Sequence, residues 1–409
     1  VTGSNIRRLD IEKVLPVTVM SRDAIEMRSA ITPADLLTAL PQVTNVPLNE
    51  TTQGSAGARG DIASVNLRGI GTSNSLVLLN GRRLVSHPTS GATNFAVNVN
   101  QLPTQGIGQV EVLRDSASSI YGSDAVAGVV NYIMRKDFRG KEIRVRYGYP
   151  DQKGGQNIQT TLTYGTDFAN GRGRFLSTFD VLYRDAIYLS DRDFTANADH
   201  TASAPAPFNA VGGTFDGRSA VSTWTQYRIG TGTATNYFRP VNGVPTLTSV
   251  APTRPANPEY YVNINKYVIG SPRSDRVNWF NSIEYDLKNG MTAFADLSYY
   301  RAMSATQRTP VSLNAPTTNQ LAPMALDNPF NPYGSRFYSP TGAPNADGTP
   351  RLTGTPNVAV IAVQLVTDLL PDQTTVTSNL HRIVAGLRGK IGTWNWEAGV
   401  LESRAQVVD

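Results

Sequence analysis

Val110-Glu111-Val112-Leu113-Arg114, followed by Ser118-Ser119-Ile120-Tyr121-Gly122 and then Ala127-Gly128-Val129-Val130-Asn131, decides the reading of the first third of the chain. Gln109–Leu113 alternates apolar and polar residues and reads as a strand. Asp115–Tyr121 reads as a short helix, and Gly122 stops it because glycine accepts the left-handed conformation that ends helices. Gly128–Arg135 is β-branched and apolar, and reads as a strand again. Strand, short helix and strand in so few residues describe a compact mixed domain.

The surrounding residues extend it. Upstream, Ser75-Leu76-Val77-Leu78-Leu79 is an apolar run closed by Asn80-Gly81, with Arg82–Val85 returning. Asn-Gly between apolar runs marks a hairpin, since both residues tolerate positive φ. Val65-Asn66-Leu67-Arg68-Gly69-Ile70 reads as a further strand, and the polar stretch Asn49–Asp61 as a loop. Nearer the start, Pro16–Met20 is a strand, and Ser21 caps a helix running through Met27. Thr32-Pro33-Ala34-Asp35 opens a second helix, with Thr as N-cap, Pro at the first position and Asp at the third.

From about Phe138 the pattern changes to long two-residue alternation. Ile143, Val145 and Tyr147 share a face, as do Ile158, Leu162 and Tyr164, then Phe175, Phe179, Val181 and Tyr183. Val277, Trp279, Ile283 and Tyr285 follow, then Ala293, Ala295, Leu297 and Tyr299, then Ile383, Ala385 and Leu387, and last Trp394, Trp396, Ala398 and Val400. These are roughly seven strands of about ten residues, the length a tilted membrane strand needs. Tight turns at Ala169–Gly173, Lys288–Gly290 and Gly389–Thr393 alternate with long segments at Asp185–Ser274 and Ala302–Thr375. Short turns at one end and long loops at the other are the pattern of an outer-membrane barrel, while alternation alone equally describes a soluble sandwich, though one that would rarely insert two such long loops in succession. Tyr183, Trp279, Tyr299, Tyr300, Trp394 and Trp396 suit its interfacial aromatic girdles.

Composition excludes much else. Charged residues are only 17% of the chain, with 35 Gly and 25 Pro, a balance suited to many short strands and turns. There are no cysteines, so no disulfides or thiolate metal sites are expected. The net charge of +5 forms no basic block, which argues against nucleic acid as a partner. No apolar run approaches the roughly 18 residues of a membrane helix. Gly69-Ile70-Gly71 lacks the third glycine of a dinucleotide site, and no G-x-S-x-G elbow occurs. His87, His200 and His381 lie far apart, and Asp185, Asp191 and Asp193 read as a solvated loop before a calcium site. Neither a catalytic residue, a metal nor a cofactor is expected.

Three ordered motifs carry a family resemblance. Asn66-Leu67-Arg68-Gly69 with Leu76–Arg83 resembles the "IRG" strand and "VLLDGRR" hairpin of the TonB-dependent receptor plug. Val110–Arg114 with Ser118–Gly122 resembles "IEVLRGPASxLYG", and Ala125 with Ala127–Asn131 resembles "AxGGVINI". The departures are Asp115-Ser116 for Gly-Pro, Ala127-Gly128 for Gly-Gly, and Asn80 for Asp, which point to a branch of the family.

The resemblance implies a small mixed α/β plug over residues 1–137, then an antiparallel transmembrane β-barrel over 138–409. The barrel would be incomplete, roughly the first seven strands of a 22-strand-class barrel, whose lumen a plug of this size needs. Val1 opens in polar sequence and Ala405–Asp409 lacks a terminal aromatic, so the chain reads as a processed or trimmed fragment. An outer-membrane location is implied, with outer-membrane lipid around the barrel.

The implied activity is TonB-dependent uptake of a scarce ferric siderophore, haem, cobalamin or oligosaccharide, powered through TonB with ExbB and ExbD. A signal-transducing receptor and a passive barrel are the alternatives. Val1, Thr2 and Gly3 resemble the tail of the TonB-contacting segment. Arg68 and Arg114 match plug arginines that pair with barrel carboxylates as a latch, and Glu111 is their alternative local partner. The plug apices and long loops would touch substrate, through residues such as Arg59, Ser73, Asn74, His87, Trp224 and Tyr227.

Overall fold

A computed structural model describes residues 17–38, 43, 60–88, 96–114, 117–229, 235–241, 244–250, 261–287, 290–307, 309–314, 323–368 and 373–408. Among these, β1 (Val17–Met20), α1 (Arg22–Met27), α2 (Pro33–Leu37), β2 (Ser75–Leu79), β3 (Arg82–Arg83), β4 (Ile107–Leu113), α3 (Ser118–Tyr121) and β5 (Gly128–Met134) form the plug. Its sheet runs β1-β4-β5-β2-β3. β2 is parallel to β5, whereas β4 is antiparallel to both β5 and β1.

Local chemistry explains the elements. The Ser21 hydroxyl accepts from the Ala24 N–H at 3.4 Å and starts α1. At α2 the Thr32 hydroxyl accepts from the Asp35 N–H (3.3 Å), while the Asp35 carboxylate accepts from the Thr32 N–H (2.8 Å), a reciprocal capping box. Asn80 and Gly81 turn β2 into β3 at φ 51° and 79°. The central strand β2 is buried along its whole length. One face of the sheet packs with Ile25, Leu36 and Leu37, the other with Ala117 and Ala125.

One expected strand does not form. Among the described residues, the one ladder contact over Val65–Ile70 is an isolated bridge from Leu67 to Val43. The backbone turns instead, with Arg68, Gly69 and Gly71 at φ 60°, 72° and 107°. The Gly71 N–H donates to Asn66 Oδ1 (2.9 Å) and the Leu67 N–H to Ser75 Oγ (2.9 Å), so side chains take amides that a strand partner would need. The return arm of the hairpin is likewise shorter than expected, at Arg82–Arg83 alone.

Beyond the plug come β6 (Gly140–Gly148), β7 (Asn157–Phe168) and β8 (Gly173–Arg184), then β9 (Ile187–Tyr188), β10 (Gln226–Ile229), β11 (Thr235–Val241), β12 (Val244–Val250) and β13 (Ile269–Ser271). β14 (Arg273–Asp286) and β15 (Thr292–Gln307) follow, then β16 (Ser312–Asn314), β17 (Tyr338–Ser339), β18 (Leu352–Thr353) and β19 (Ala359–Leu365). β20 (Gln373–Ile391) and β21 (Trp394–Val408) come last, and β20, at 19 residues, is the longest of the described strands.

The seven long strands pair in one antiparallel sheet, β21-β20-β15-β14-β8-β7-β6, which is their order along the chain. Its two faces invert the arrangement of a water-soluble protein. Ile158, Leu162, Phe179, Trp279, Ile283, Leu297, Tyr299, Ile383 and Leu387 are exposed on one face. Gln159, Thr161, Thr178, Asp180, Ser274, Arg276, Asn278, Asp296 and Arg382 are buried on the other. Apolar residues outward and polar residues inward are what a bilayer around a plugged lumen demands. Tyr300 corrects the girdle reading: neighbours in a strand face opposite ways, so Tyr299 looks out while Tyr300 is buried inside.

Tyr188–Ile269 and Gln307–Gln373 make a second compact unit. Its sheet runs β12-β11-β10-β19-β16. Tyr227, Tyr333 and Ala359 form its small core. Arg218 binds Asp216 (2.7 Å) and Asp199 (3.0 Å), and its hydrogen bonds hold Asp216 down at about 2. The segments expected as plain loops thus carry structure of their own.

Candidate functional site

The plug meets the polar face of the seven-stranded sheet, and charged groups hold the contact. Asp61 lies at the end of the first polar loop. Gly60 before it, at φ 74°, approaches β20 so closely that a Cβ there would stand 2.9 Å from Val376 Cγ1. This places the Asp61 carboxylate against β14 and β15. Arg276 donates to it through Nε (2.6 Å) and Nη2 (2.5 Å), the bidentate geometry that suits a guanidinium to a carboxylate. Tyr300 reaches the same carboxylate with its hydroxyl (2.9 Å) and accepts from Asn98 Nδ2 (3.1 Å). Asn100 Nδ2 adds a bond to Asp61 Oδ1 (3.1 Å). Arg276 is 2% exposed, so the pair is dry.

A second charged contact forms near the tight turns. Lys136, just after β5, donates to both oxygens of Asp296 on β15 (2.8 and 3.0 Å) and stands 3.7 Å from Glu284 of β14. Asn80 Nδ2 (3.3 Å) and Ser282 Oγ (2.7 Å) complete the Asp296 shell. Asn80 therefore does double duty: its Oδ1 also accepts the Met134 N–H at 3.0 Å, tying the hairpin turn to β5. Arg82 binds Glu397 of β21 at 2.5 Å and lies 4.7 Å over the Phe294 ring. Arg83 next to it stays within the plug. It bonds to Asp124 and the Tyr121 carbonyl, and holds Asp124 below the usual carboxylate range. Apolar contact across this boundary also exists: Leu176 and Phe280 of the sheet belong to the plug's larger core.

The residues expected from sequence fall in several places. Arg68 is exposed on its turn and Arg114 is half-buried at the end of β4. Glu111 is buried on β4 and accepts from Gln109 Nε2 (3.0 Å). Ser73 and Asn74 lie in a short 3₁₀ turn, where Asn74 Nδ2 donates to the Ile70 carbonyl (2.7 Å). His87 is buried beside Pro88 and Tyr300, and burial pulls it down to about 4 against the pull of Asp61. Tyr227 is buried in the core of the second unit, and Trp224 is half-buried, its backbone N–H donating to Ser222 Oγ (2.9 Å). Val1, Thr2, Gly3 and Arg59 lie outside the described residues. Among the described residues no group of His, Cys, Asp or Glu could hold a metal ion.

Of the residues at this contact, Asp61, Arg276, Lys136 and Asp296 were not singled out by the sequence, and Tyr300 was read there as a girdle residue. Alternation does put Arg276, Asp296 and Arg382 on the polar faces of their strands, and that is the one signal they carry. Which plug group would meet them is a matter of three-dimensional placement.

The family profile of the TonB-dependent receptor plug domain matches residues 10–129. Solved structures with a similar course include a mutant of the ferric enterobactin receptor PfeA from Pseudomonas aeruginosa, at 14% identity and TM-score 0.46 over 97% of this chain and 50% of that one. The siderophore receptor PirA from Acinetobacter baumannii matches at 14% identity and TM-score 0.42, over 96% of this chain and 48% of that one. The ferric-catecholate import receptor Fiu from E. coli K12 matches at 12% identity and TM-score 0.39, over 96% and 49%. The chain spans about half the length of these structures.

Proposed function

Because the chain carries the plug domain of the TonB-dependent receptors of the Gram-negative outer membrane, followed by part of a barrel, we propose that it serves TonB-dependent uptake of a scarce substrate. The single observation behind this reading is the polar seam between plug and sheet. Asp61–Arg276 and Lys136–Asp296 are short, directional bonds across a boundary that a permanent core would fill with apolar side chains. Such bonds are strong while dry, lose their grip after a small displacement, and are replaced by water once the seam opens. That behaviour suits a plug that must be held firmly and still be moved by an outside force.

In this reading TonB, with ExbB and ExbD, pulls the plug through the segment that includes Val1–Gly3. Pairing as an added strand would transmit that force through main-chain bonds. Arg68, Arg114 and Glu111 remain proposed latch residues of the plug, and Asp61, Arg82 and Lys136 join them. The substrate is a ferric siderophore, haem, cobalamin or an oligosaccharide, and the plug apices and long segments are its proposed contact regions.

The test is uptake of labelled substrates from each of the four classes by cells carrying or lacking the intact receptor, with and without TonB. Accumulation that needs both the receptor and TonB supports the proposal and names the class. Accumulation that persists without TonB would assign a passive barrel instead. No receptor-dependent uptake of any of the four would also reject the reading.

A further inference from the structure

Arg382 lies on β20 in the middle of the buried inner face, 1% exposed. Neither its Nε nor its Nη2 has a hydrogen-bond partner among the described residues. A buried guanidinium with its bidentate edge open is costly, since each unmade charged bond forgoes solvation without return. On the same wall, Arg276 uses that Nε/Nη2 edge to grip a carboxylate. The edge on Arg382 is therefore a carboxylate dock that the closed plug leaves unfilled.

The claimant is Asp296, buried on the same face on the adjoining strand β15. Gly386 of β20 abuts Phe294, and Leu380 packs with Tyr300, which brackets Arg382 at the level of Asp296 and Ser298. In the closed state, though, Asp296 is taken by two plug groups, Lys136 and Asn80, together with Ser282 of β14. Both plug groups depart if the plug moves. Asp296 would then be a lumen carboxylate beside Glu284, stripped of its cation, and breaking a buried pair in that way is strongly unfavourable.

We propose that Arg382 is the replacement partner of Asp296: as the plug leaves, the carboxylate passes from Lys136 to Arg382, and this lowers the barrier to plug release. The inference rests on the reading that the plug moves during transport. The groups around Asp296 are Lys136 and Asn80 from the plug, Ser282 and Glu284 from β14, and Arg382 from β20, with Arg82 of the plug close by; Glu284 already holds Arg388 of β20 (2.8 Å) and stands 4.0 Å from Arg174 of β8, so those two wall cations are committed to it. Of the other cations, Lys136, Arg82 and Arg382, only Arg382 stays with the wall when the plug departs.

This chain has no cysteine, so with any cysteine elsewhere in the intact receptor replaced by serine, Ala34→Cys on the buried face of α2 supplies a single thiol that reacts only when the plug opens. Its labelling rate is measured in the intact receptor in lipid vesicles under mild urea, with Arg382 intact, Arg382→Met, Arg382→Lys, and Arg382→Met combined with Asp296→Asn. Arg382→Met should slow labelling by about tenfold or more. It should also make labelling speed up as the pH falls, because Asp296 must take a proton when no cation replaces Lys136. Arg382→Lys and the double variant should remove most of the slowing and the pH dependence. Labelling by Arg382→Met at or above the parent rate, slowing without pH dependence, or slowing that Lys does not relieve would each overturn the proposal. Labelling in cells, with and without TonB, tests the transport reading separately, since the urea comparison needs no TonB.

Discussion

Asp61→Asn isolates the deepest plug–barrel contact. The substitution keeps the shape of the side chain and removes its charge, so the Arg276 guanidinium, 2% exposed, loses its counter-ion. Removing one member of a buried pair costs about 3–5 kcal/mol. The amide oxygen still accepts from one guanidinium nitrogen, which returns about 1 kcal/mol. The net loss for the closed state is thus about 2–4 kcal/mol, and at about 1.4 kcal/mol per tenfold the opening equilibrium should rise roughly 30- to 700-fold. The assay is the urea dependence of labelling at Ala34→Cys in the intact receptor, read as the population of open plug. Joint replacement, Asp61→Leu with Arg276→Met, removes both charges and should restore most of the closure. An Asp61→Asn receptor within about threefold of the parent, or a double variant as open as the single, would refute the reasoning, because either would mean that the buried charge pair does not hold the plug.

Three other outcomes follow from the same geometry. Tyr300→Phe removes one hydroxyl from the Asp61 shell and should weaken closure by about 1 kcal/mol in the same labelling assay, well short of Asp61→Asn. Phe179→Arg puts a charge on the exposed apolar face of β8 and should cost about 2–4 kcal/mol of folding into lipid vesicles, with little effect from Thr166→Arg near the tight turn. His87 has its pKa lowered by burial to about 4, from an ordinary value near 6.5. The unfolded plug therefore binds a proton that the folded plug refuses, so stability is constant above about pH 6.5 and falls as the pH drops toward 4, by up to about 3 kcal/mol. A urea titration of the plug at pH 7 and pH 4.5 should show that fall, and His87→Gln should remove most of it.

The sequence by itself determined most of the plug elements, the seven long strands and their faces, but not the small sheet of the second unit. The capping box at Thr32 and Asp35, the Asn80-Gly81 turn and the stop at Gly122 rest on interactions within a few residues, and the seven long strands announce themselves by their own two-residue alternation, although their pairing reaches far along the chain. The same alternation told which side chains share a face, because a strand has a period of two wherever it lies. Local order fell short where local bonds compete. Val65–Ile70 has the composition of a strand, yet Asn66 and Ser75 side chains capture its amides and the chain turns. What only the tertiary structure decided is who meets whom across the seam. Asp61 and Arg276 are 215 residues apart and Lys136 and Asp296 160 apart, and nothing near any of them announces a partner. Their pairing depends on how the plug seats against the sheet, and so do the burial that makes the pairs strong and the unfilled edge of Arg382. A charge on a polar face reads the same in sequence whether water or a plug will cover it.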